Sequence, residues 1–279
     1  MMPKPATKKK YERLLDVLRE YKRVIIAYSG GVDSTFLLTS AIEALGREKV
    51  VACIAESPTF PNAESVFAQG LCTQWGVSFF LIKTKEMQNK AFVQNTPDRC
   101  YHCKTELFGK ILQQARKKGV KYVLEGSNAD DRKDYRPGMR AVQELGIKSP
   151  LLDCDLSKTE IRALSRGLGI PTADKPSLAC LSSRIPYGTK ITEKVLQKVH
   201  DAEKILRSFG IAQCRVRDHG DLARIEVVSA DIAKLAGATV RVVLCRKLKK
   251  IGYKYITLDL EGYRTGSMNL VLTKTDKEA

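Results

Sequence analysis

Two groups of residues in this chain have the types and spacing for chemistry. The first is Ser29-Gly30-Gly31-Val32-Asp33-Ser34, which follows the apolar run Val24-Ile25-Ile26-Ala27-Tyr28 and precedes Phe36-Leu37-Leu38. Such a sequence predicts a short buried strand, a tight turn and a helix. The turn leaves unpaired N–H groups at the positive end of a helix, and glycine lets an anion come close to them. With Ser29 and Ser34 as added hydroxyl donors, the expected chemistry is phosphate binding. The Walker loop is excluded, because it needs a wider glycine spacing and a Lys-Ser/Thr ending.

The second group is made of thiols. Cys100 and Cys103 form Cys-x-x-Cys at the expected start of a helix, and Cys180 lies in an irregular stretch rich in proline and serine at 174–189. The neighbouring Arg99, Lys104 and Arg184, together with a helix end, favour the thiolate form. A lone Cys-x-x-Cys fits half a zinc knuckle, a redox pair, two ligands of an iron–sulfur cluster, or two unrelated thiols. Structural zinc takes four ligands, whereas three thiolates suit a cluster with one open iron. The other five cysteines (Cys53, Cys72, Cys154, Cys214 and Cys245) fall mostly in apolar segments and are expected in the core.

Elements must position these groups. Residues 1–10 read as a mobile basic lead-in, and 11–21 as a helix with Leu14, Leu15, Val17 and Leu18 at helical spacing. Strands are expected at 50–55, 78–82 and 121–124, with helices at 34–45 and 62–75 between them. Alternating strands and helices predict an α/β fold with a parallel sheet covered on both faces. Ligands bind beyond the carboxyl ends of such strands. Three stretches therefore converge there: 29–34, the Ala55-Glu56-Ser57 end with Ser57 facing a nucleoside, and Glu125-Gly126-Ser127-Asn128-Ala129-Asp130-Asp131. Carboxylates in the last of these, with Asp33, fit Mg²⁺, which takes oxygen ligands and substrate phosphates.

Ser157, three residues before Glu160, opens a helix with a capping box. Beyond residue 188 the pattern changes to a helix at 193–209, antiparallel strands at 213–218 and 222–228, a helical pair and a last strand at 255–260. The expected organisation is a larger parallel-sheet domain over 11–188 and a smaller α+β domain over 189–279. Arg215 and Arg217, two apart on one strand, share a face, and they join Glu203 and Glu226 as residues that could meet a substrate.

The chain has 279 residues with 48 Lys+Arg against 31 Asp+Glu, a formal charge of +17. This favours an anionic partner: a nucleotide, a phosphorylated small molecule or RNA. No apolar run reaches the roughly 18–20 residues of a membrane helix, no secretory signal is evident, and scattered cysteines in an α/β pattern suit a reducing compartment. A cytoplasmic protein without a membrane partner is expected.

SGGVDS resembles the pyrophosphatase loop, or PP-loop, of enzymes that cleave ATP between its alpha and beta phosphates. The resemblance implies the adenine nucleotide alpha hydrolase-like fold. It assigns ATP to Ser29, Gly30, Gly31, Asp33 and Ser34, with Ser57 and Gly126 from the other strand ends, and Mg²⁺ to Asp33 and Asp131. Taken with EGSNADD, DYRPG at 134–138, RCYHCK at 99–104, KPSLACLSSRIPYG at 175–188 and LDLEGYRTGSMN at 258–269, the chain resembles the LarE family. Those enzymes are ATP-dependent sulfur transferases in nickel-pincer nucleotide cofactor biosynthesis. The resemblance implies adenylation of a carboxylate of pyridinium-3,5-biscarboxylic acid mononucleotide, with Asp33 and Cys180 as catalytic residues. The substrate would lie against Ser183, Arg184, Glu203, Arg215, Arg217 and Glu226. Its sulfur would come from sacrificed Cys180 or from a [4Fe-4S] cluster on Cys100, Cys103 and Cys180. Other nickel-pincer biosynthesis proteins and a homo-oligomer are the implied partners. A transfer-RNA thiolase is the enzymatic rival, although neither paired zinc knuckles nor an RNA-binding motif favours nucleic acid. A non-catalytic nucleotide sensor is the other.

Overall fold

A computed structural model describes residues 4–133, 136–177, 179–264 and 266–273. Parts of three expected motifs, namely Asp134-Tyr135, Leu178 and Thr265, lie outside the described residues. The chain forms two compact units, Met1–Glu86 with Cys100–Ser177, and Met87–Arg99 with Leu178–Ala279.

In the first unit the order is α1 (Pro5–Tyr21), β1 (Val24–Ala27), α2 (Val32–Leu45), β2 (Val50–Glu56), α3 (Asn62–Gln74) and β3 (Ser78–Lys83). The chain passes through the short α4 (Lys90–Val93) of the other unit before α5 (Arg99–Lys117), β4 (Tyr122–Leu124), α6 (Pro137–Glu144), α7 (Pro150–Asp153) and α8 (Lys158–Gly167). The four strands pair in parallel in the order β3-β2-β1-β4, with Val24 opposite both Val50 and Tyr122. Alternation along β1 divides the core between two faces. Val24 and Ile26 join the cluster under α1 and α2, while Ile25 joins Phe108 and Ile111 of α5 on the other side. The strand order reverses between β1 and β4, and a crevice opens at such a reversal.

The helix expected at residue 11 starts at Pro5, so most of the supposed mobile lead-in is ordered. Proline at the first helical position is pre-set for a helix. Thr7 and Lys10 then tie this end down: Thr7 Oγ1 donates to Glu160 Oε1 (3.2 Å), and Lys10 Nζ donates to Glu160 Oε2 (3.1 Å) and the Asp155 carbonyl (2.6 Å).

In the second unit α9 (Glu193–Ser208), β5 (Cys214–His219), β6 (Leu222–Val227), α10 (Ser229–Ala236), α11 (Ala238–Lys250) and β7 (Tyr255–Leu258) enclose a separate core. The pair β5-β6 is antiparallel, as the hairpin pattern predicts, and β7 adds in parallel to β6. The division expected near 188 falls instead after Ser177, and residues 87–99 belong to this unit. Buried Asn95 supplies the reason. Its amide donates to the carbonyls of Ile185, Pro186 and Thr189, and its own carbonyl accepts from Gly188 N–H. Such long-range bonds leave no trace in local periodicity.

The capping box forms as expected: Ser157 Oγ accepts from Glu160 N–H, while the Glu160 carboxylate accepts from Ser157 N–H (2.9 Å). Burial alone would raise the Glu160 pKa, but the Ser157 donors and the Lys10 charge hold it below the ordinary glutamate range. A depressed folded-state pKa gives stability that is complete above the unfolded-state value and is lost as pH falls through the folded one. Glu160→Ala is expected to cost roughly 1–2 kcal/mol at neutral pH. In thermal melts its deficit against the wild type should narrow below about pH 4. A deficit that stays constant with pH would refute the charge-dependent part.

Candidate functional site

The 29–34 loop leaves β1 and closes on itself before α2 begins. The backbone N–H groups of Ser29 and Gly31 donate to Ser34 Oγ and Ser29 Oγ (both 3.3 Å), and the two hydroxyls lie 3.0 Å apart. Gly31 is the cap residue of α2 and Asp33 stands in its first turn. Asp33 Oδ2 is ion-paired with Lys158 Nζ from the start of α8. Its Oδ1 is buried without a hydrogen-bond partner among the described residues.

The loop after β4 comes against this turn. A Cβ on Gly126 would stand only 3.1 Å from Ser34 N. Glu125 anchors the loop by accepting from Ser127 N–H (3.0 Å), Ser127 Oγ (2.9 Å) and Ser149 Oγ (2.6 Å). Asp131 Oδ2 accepts from Asn128 N–H (3.0 Å) and Oδ1 pairs with Arg136 (2.8 Å). Burial raises the Asp131 pKa, opposed by Arg136 and reinforced by the charges of Asp33 and Glu125. A buried, unpartnered carboxylate oxygen beside a second carboxylate fits a hard divalent cation shared with phosphates. The structure therefore gathers Ser29, Gly30, Gly31, Asp33, Ser34, Gly126 and Asp131 around one crevice. Lys158 was visible in the sequence only as part of a capping box; its partner lies 125 positions away.

A cavity of about 540 Å³ adjoins the loop, lined by Tyr28, Ile54, Pro58, Phe60, Leu107 and Ile111 among others. Its size and apolar walls suit a nucleoside. Ser57 lines it too, but its hydroxyl is turned to buried Glu86 and to Thr59. The Ser57 hydroxyl therefore has internal partners, while its backbone remains at the cavity wall.

Cys100 and Cys103 occupy the first turn of α5 at helical spacing, which puts them on one face. That turn packs on Gly138, and Lys104 reaches Glu125 of the β4 loop (3.5 Å). Cys180 belongs to the second unit and precedes a 3₁₀ turn at Leu181–Arg184. Among the described residues, no group of three or more His, Cys, Asp or Glu side chains is placed to hold a metal ion. Within the second unit, Ser183, Arg184, Glu203, Arg215, Arg217 and Glu226 do assemble. Fully buried Arg184 donates to both Glu203 oxygens (2.7 and 3.1 Å) and to the carbonyls of Ala179 and Cys180 (2.7 and 2.9 Å). Arg217 donates to both Glu226 oxygens (2.8 and 2.7 Å), the Ser183 carbonyl (2.6 Å) and Ser267 Oγ (2.8 Å). Burial, with Arg184 nearby, lowers the pKa of Arg215, whose guanidinium lies 5.0 Å from the Tyr263 ring centre.

Comparison with known proteins decides the family. The chain is 43% identical over 265 residues to an uncharacterized protein of Synechocystis sp., covering 95% of this chain and 98% of that one. It is 39% identical over 269 residues to the pyridinium-3,5-bisthiocarboxylic acid mononucleotide synthase of Lactiplantibacillus plantarum, covering 96% of each. The chain belongs to the LarE family. A tRNA-specific 2-thiouridylase, MnmA, of Thermus thermophilus matches at 27% identity over 194 residues, 56% of this chain and 53% of its own. That partial match supports the PP-loop superfamily, and it sets the thiolase reading further away than the LarE one. No protein-family model matches the sequence. No helix among the described residues is long and apolar enough to cross a membrane.

For a LarE-family enzyme that uses ATP, the eight cysteines separate by environment. Cys53, Cys72, Cys154 and Cys214 are buried, and burial pushes the thiols of Cys53, Cys72 and Cys214 up to about 12, 11 and 11. Cys100, Cys103 and Cys180 are half-buried, and so is Cys245, which is not in the core as expected. Alkylation of the native protein at pH 8 should therefore label Cys100, Cys103, Cys180 and Cys245 first, with the other four reacting only after unfolding. Peptide mass spectrometry reads the order, and early labelling of Cys53 would contradict it.

Proposed function

We propose that this protein is an ATP-dependent sulfur transferase that converts a carboxylate of pyridinium-3,5-biscarboxylic acid mononucleotide to a thiocarboxylate. The observation that carries this reading is the near full-length relationship to a named synthase of the bisthiocarboxylic mononucleotide. In it, the nucleoside of ATP lies in the apolar cavity beside Tyr28 and the phosphates lie on the 29–34 loop. Asp33 and Asp131 would hold Mg²⁺, which when bound neutralises phosphate charge. The Lys158 ammonium, held ready by Asp33, adds a cation to the pyrophosphate leaving group.

A substrate carboxylate oxygen attacks the alpha phosphorus, the bridging P–O bond breaks and pyrophosphate leaves. The resulting acyl adenylate has AMP as a good leaving group, which a free carboxylate lacks. Sulfur then attacks the carbonyl carbon and AMP departs. If the sulfur is that of Cys180, the product is a thioester. Loss of the Cys180 Cα proton to a base, with cleavage of Cβ–S, releases the thiocarboxylate and leaves dehydroalanine. The substrate's phosphate and second carboxylate suit the arginine cluster: Glu203 and Glu226 receive Arg184, Arg207, Arg217 and Arg224, with Arg215 added beside them. Asp259 stands 3.6 Å from Arg224 as a third carboxylate, and the guanidinium groups of this cluster still outnumber it and the two glutamates, which suits an anion.

A [4Fe-4S] cluster on Cys100, Cys103 and Cys180 is the other sulfur source. It needs the three thiolates gathered at one point. We place the enzyme in the cytoplasm as a homo-oligomer working with other nickel-pincer biosynthesis proteins.

The reading predicts substrate-dependent release of AMP and pyrophosphate in equal amounts from protein purified without oxygen. Silence of this assay with both substrates present would leave only a nucleotide-binding sensor, and a salt-sensitive gel shift with transfer RNA would revive the thiolase. After one turnover, sacrifice of Cys180 leaves the intact chain lighter by one H₂S, the loss mapping to residue 180. A chain of unchanged mass carrying iron and sulfide in cluster proportion identifies the cluster instead. Lys158→Met is expected to slow pyrophosphate release roughly 100-fold; a rate equal to wild type would remove Lys158 from the reaction.

A further inference from the structure

One lysine is built into the phosphate loop from behind, in the irregular stretch that precedes Cys180. Lys175 Nζ donates to the Gly30 carbonyl (3.0 Å) and to Glu64 Oε2 (2.6 Å), and lies 4.0 Å from the centre of the Phe67 ring. Its side chain is 17% exposed, so these three contacts account for its donors and most of its surface. Glu64 and Phe67 both sit on α3, which also carries Ala68. Gly30 rests on that helix: its φ is +69°, and a Cβ there would stand 3.1 Å from Ala68 Cβ. Lysine, carboxylate and ring thus staple the first glycine of the loop to α3.

The staple acts on the next peptide group. A trans peptide is planar, so the Gly30 carbonyl and the Gly31 N–H point in opposite directions. Fixing the carbonyl on an ammonium fixes where the N–H points, and it also polarises that N–H. Among the described residues the Gly31 N–H meets Ser29 Oγ at a long 3.3 Å, and it stands at the cap of α2 where an anion is favoured. A compact ammonium can meet a carbonyl, a carboxylate and a ring face at once, whereas the planar guanidinium cannot present one nitrogen to all three.

We propose that Lys175 is a positioning residue for ATP, pinning the Gly30–Gly31 peptide so that the Gly31 N–H is presented to the beta and gamma phosphates. The inference rests on the reading of 29–34 as the ATP phosphate loop. It separates nucleotides that carry those phosphates from one that does not.

The test is calorimetric titration of the full chain with ATP and with AMP, both with Mg²⁺. Lys175→Met keeps the stem against Phe67 and should weaken ATP roughly tenfold or more, with AMP changed by less than about twofold because its phosphate does not depend on Gly31. Glu64→Gln leaves the Lys175–Gly30 bond in place and should stay nearer the wild type for ATP. Equal ATP affinity in Lys175→Met, or equal losses of ATP and AMP, overturns the proposal. Should Lys175→Met fail to fold, Lys175→Arg carries the same comparison: it keeps charge but not the three-way contact, and wild-type ATP affinity in it overturns the proposal too. A wild-type protein that binds neither nucleotide overturns the ATP reading of the loop itself.

Discussion

The crevice at the 29–34 loop depends on one approach of backbone to backbone. Gly126 lies so close to the first turn of α2 that an added Cβ would meet Ser34 N at 3.1 Å and Asp33 C at 3.3 Å. Such an approach is open to glycine alone without displacement of the helix start. It occurs because β1 and β4 are neighbours at the point where the sheet reverses its strand order, so the loops that follow them must share one mouth. Closeness then has an electrostatic consequence. Asp33, Glu125 and Asp131 enter one another's fields, and the Asp131 pKa rises under burial and those charges. Among the described residues Asp33 Oδ1 is left buried and without a hydrogen-bond partner, which is costly unless something outside the chain meets it.

The same loop is bracketed by two lysines that the fold already pairs internally. Lys158 is neutralised by Asp33, and its backbone N–H is held by Asp130 (2.9 Å); Lys175 is neutralised by Glu64 and bonded to the Gly30 carbonyl. Without such partners, two part-buried ammonium groups beside helix N–H groups would repel one another and be costly to desolvate. With them, the cations are already placed at the loop, so an anion meeting it would demand less reorganisation. Lys158 opens α8, and Lys175 lies in the irregular stretch that follows it.

What could be read from the residues follows from what each feature rests on. Strands and helices of the parallel sheet are local periodicities, and 29–34 is legible because its chemistry is carried by backbone and glycine. Features made by distant partners were not. Ser57 reads as the polar end of a strand, and nothing local shows that its hydroxyl bonds Glu86, 29 positions on. Residues 5–10 read as solvated because their lysines are local, while the groups that hold Thr7 and Lys10 are at 155 and 160. The second unit takes residues 87–99 through Asn95, whose bonds span about 90 positions. Lys158 and Lys175 belong to the same class: a lysine shows its charge in sequence but not its partner.

The arginines of the second unit show how a buried ion pair can serve more than stability. A buried pair seldom repays its desolvation, and Arg184 with Glu203, both essentially without exposure, would be an expensive way to hold α9. Arg184 spends its remaining donors on the carbonyls of Ala179 and Cys180 and on Ser183 Oγ. The Cys180 backbone is therefore fixed by a guanidinium while its thiol stays half-buried and available. A thiol whose main chain is held in this way keeps a defined position. Glu203 in turn also receives Arg207, and the nearby Arg215 has burial and Arg184 set against its charge. One carboxylate serving several cations leaves the local balance positive, which is a setting that favours an anion.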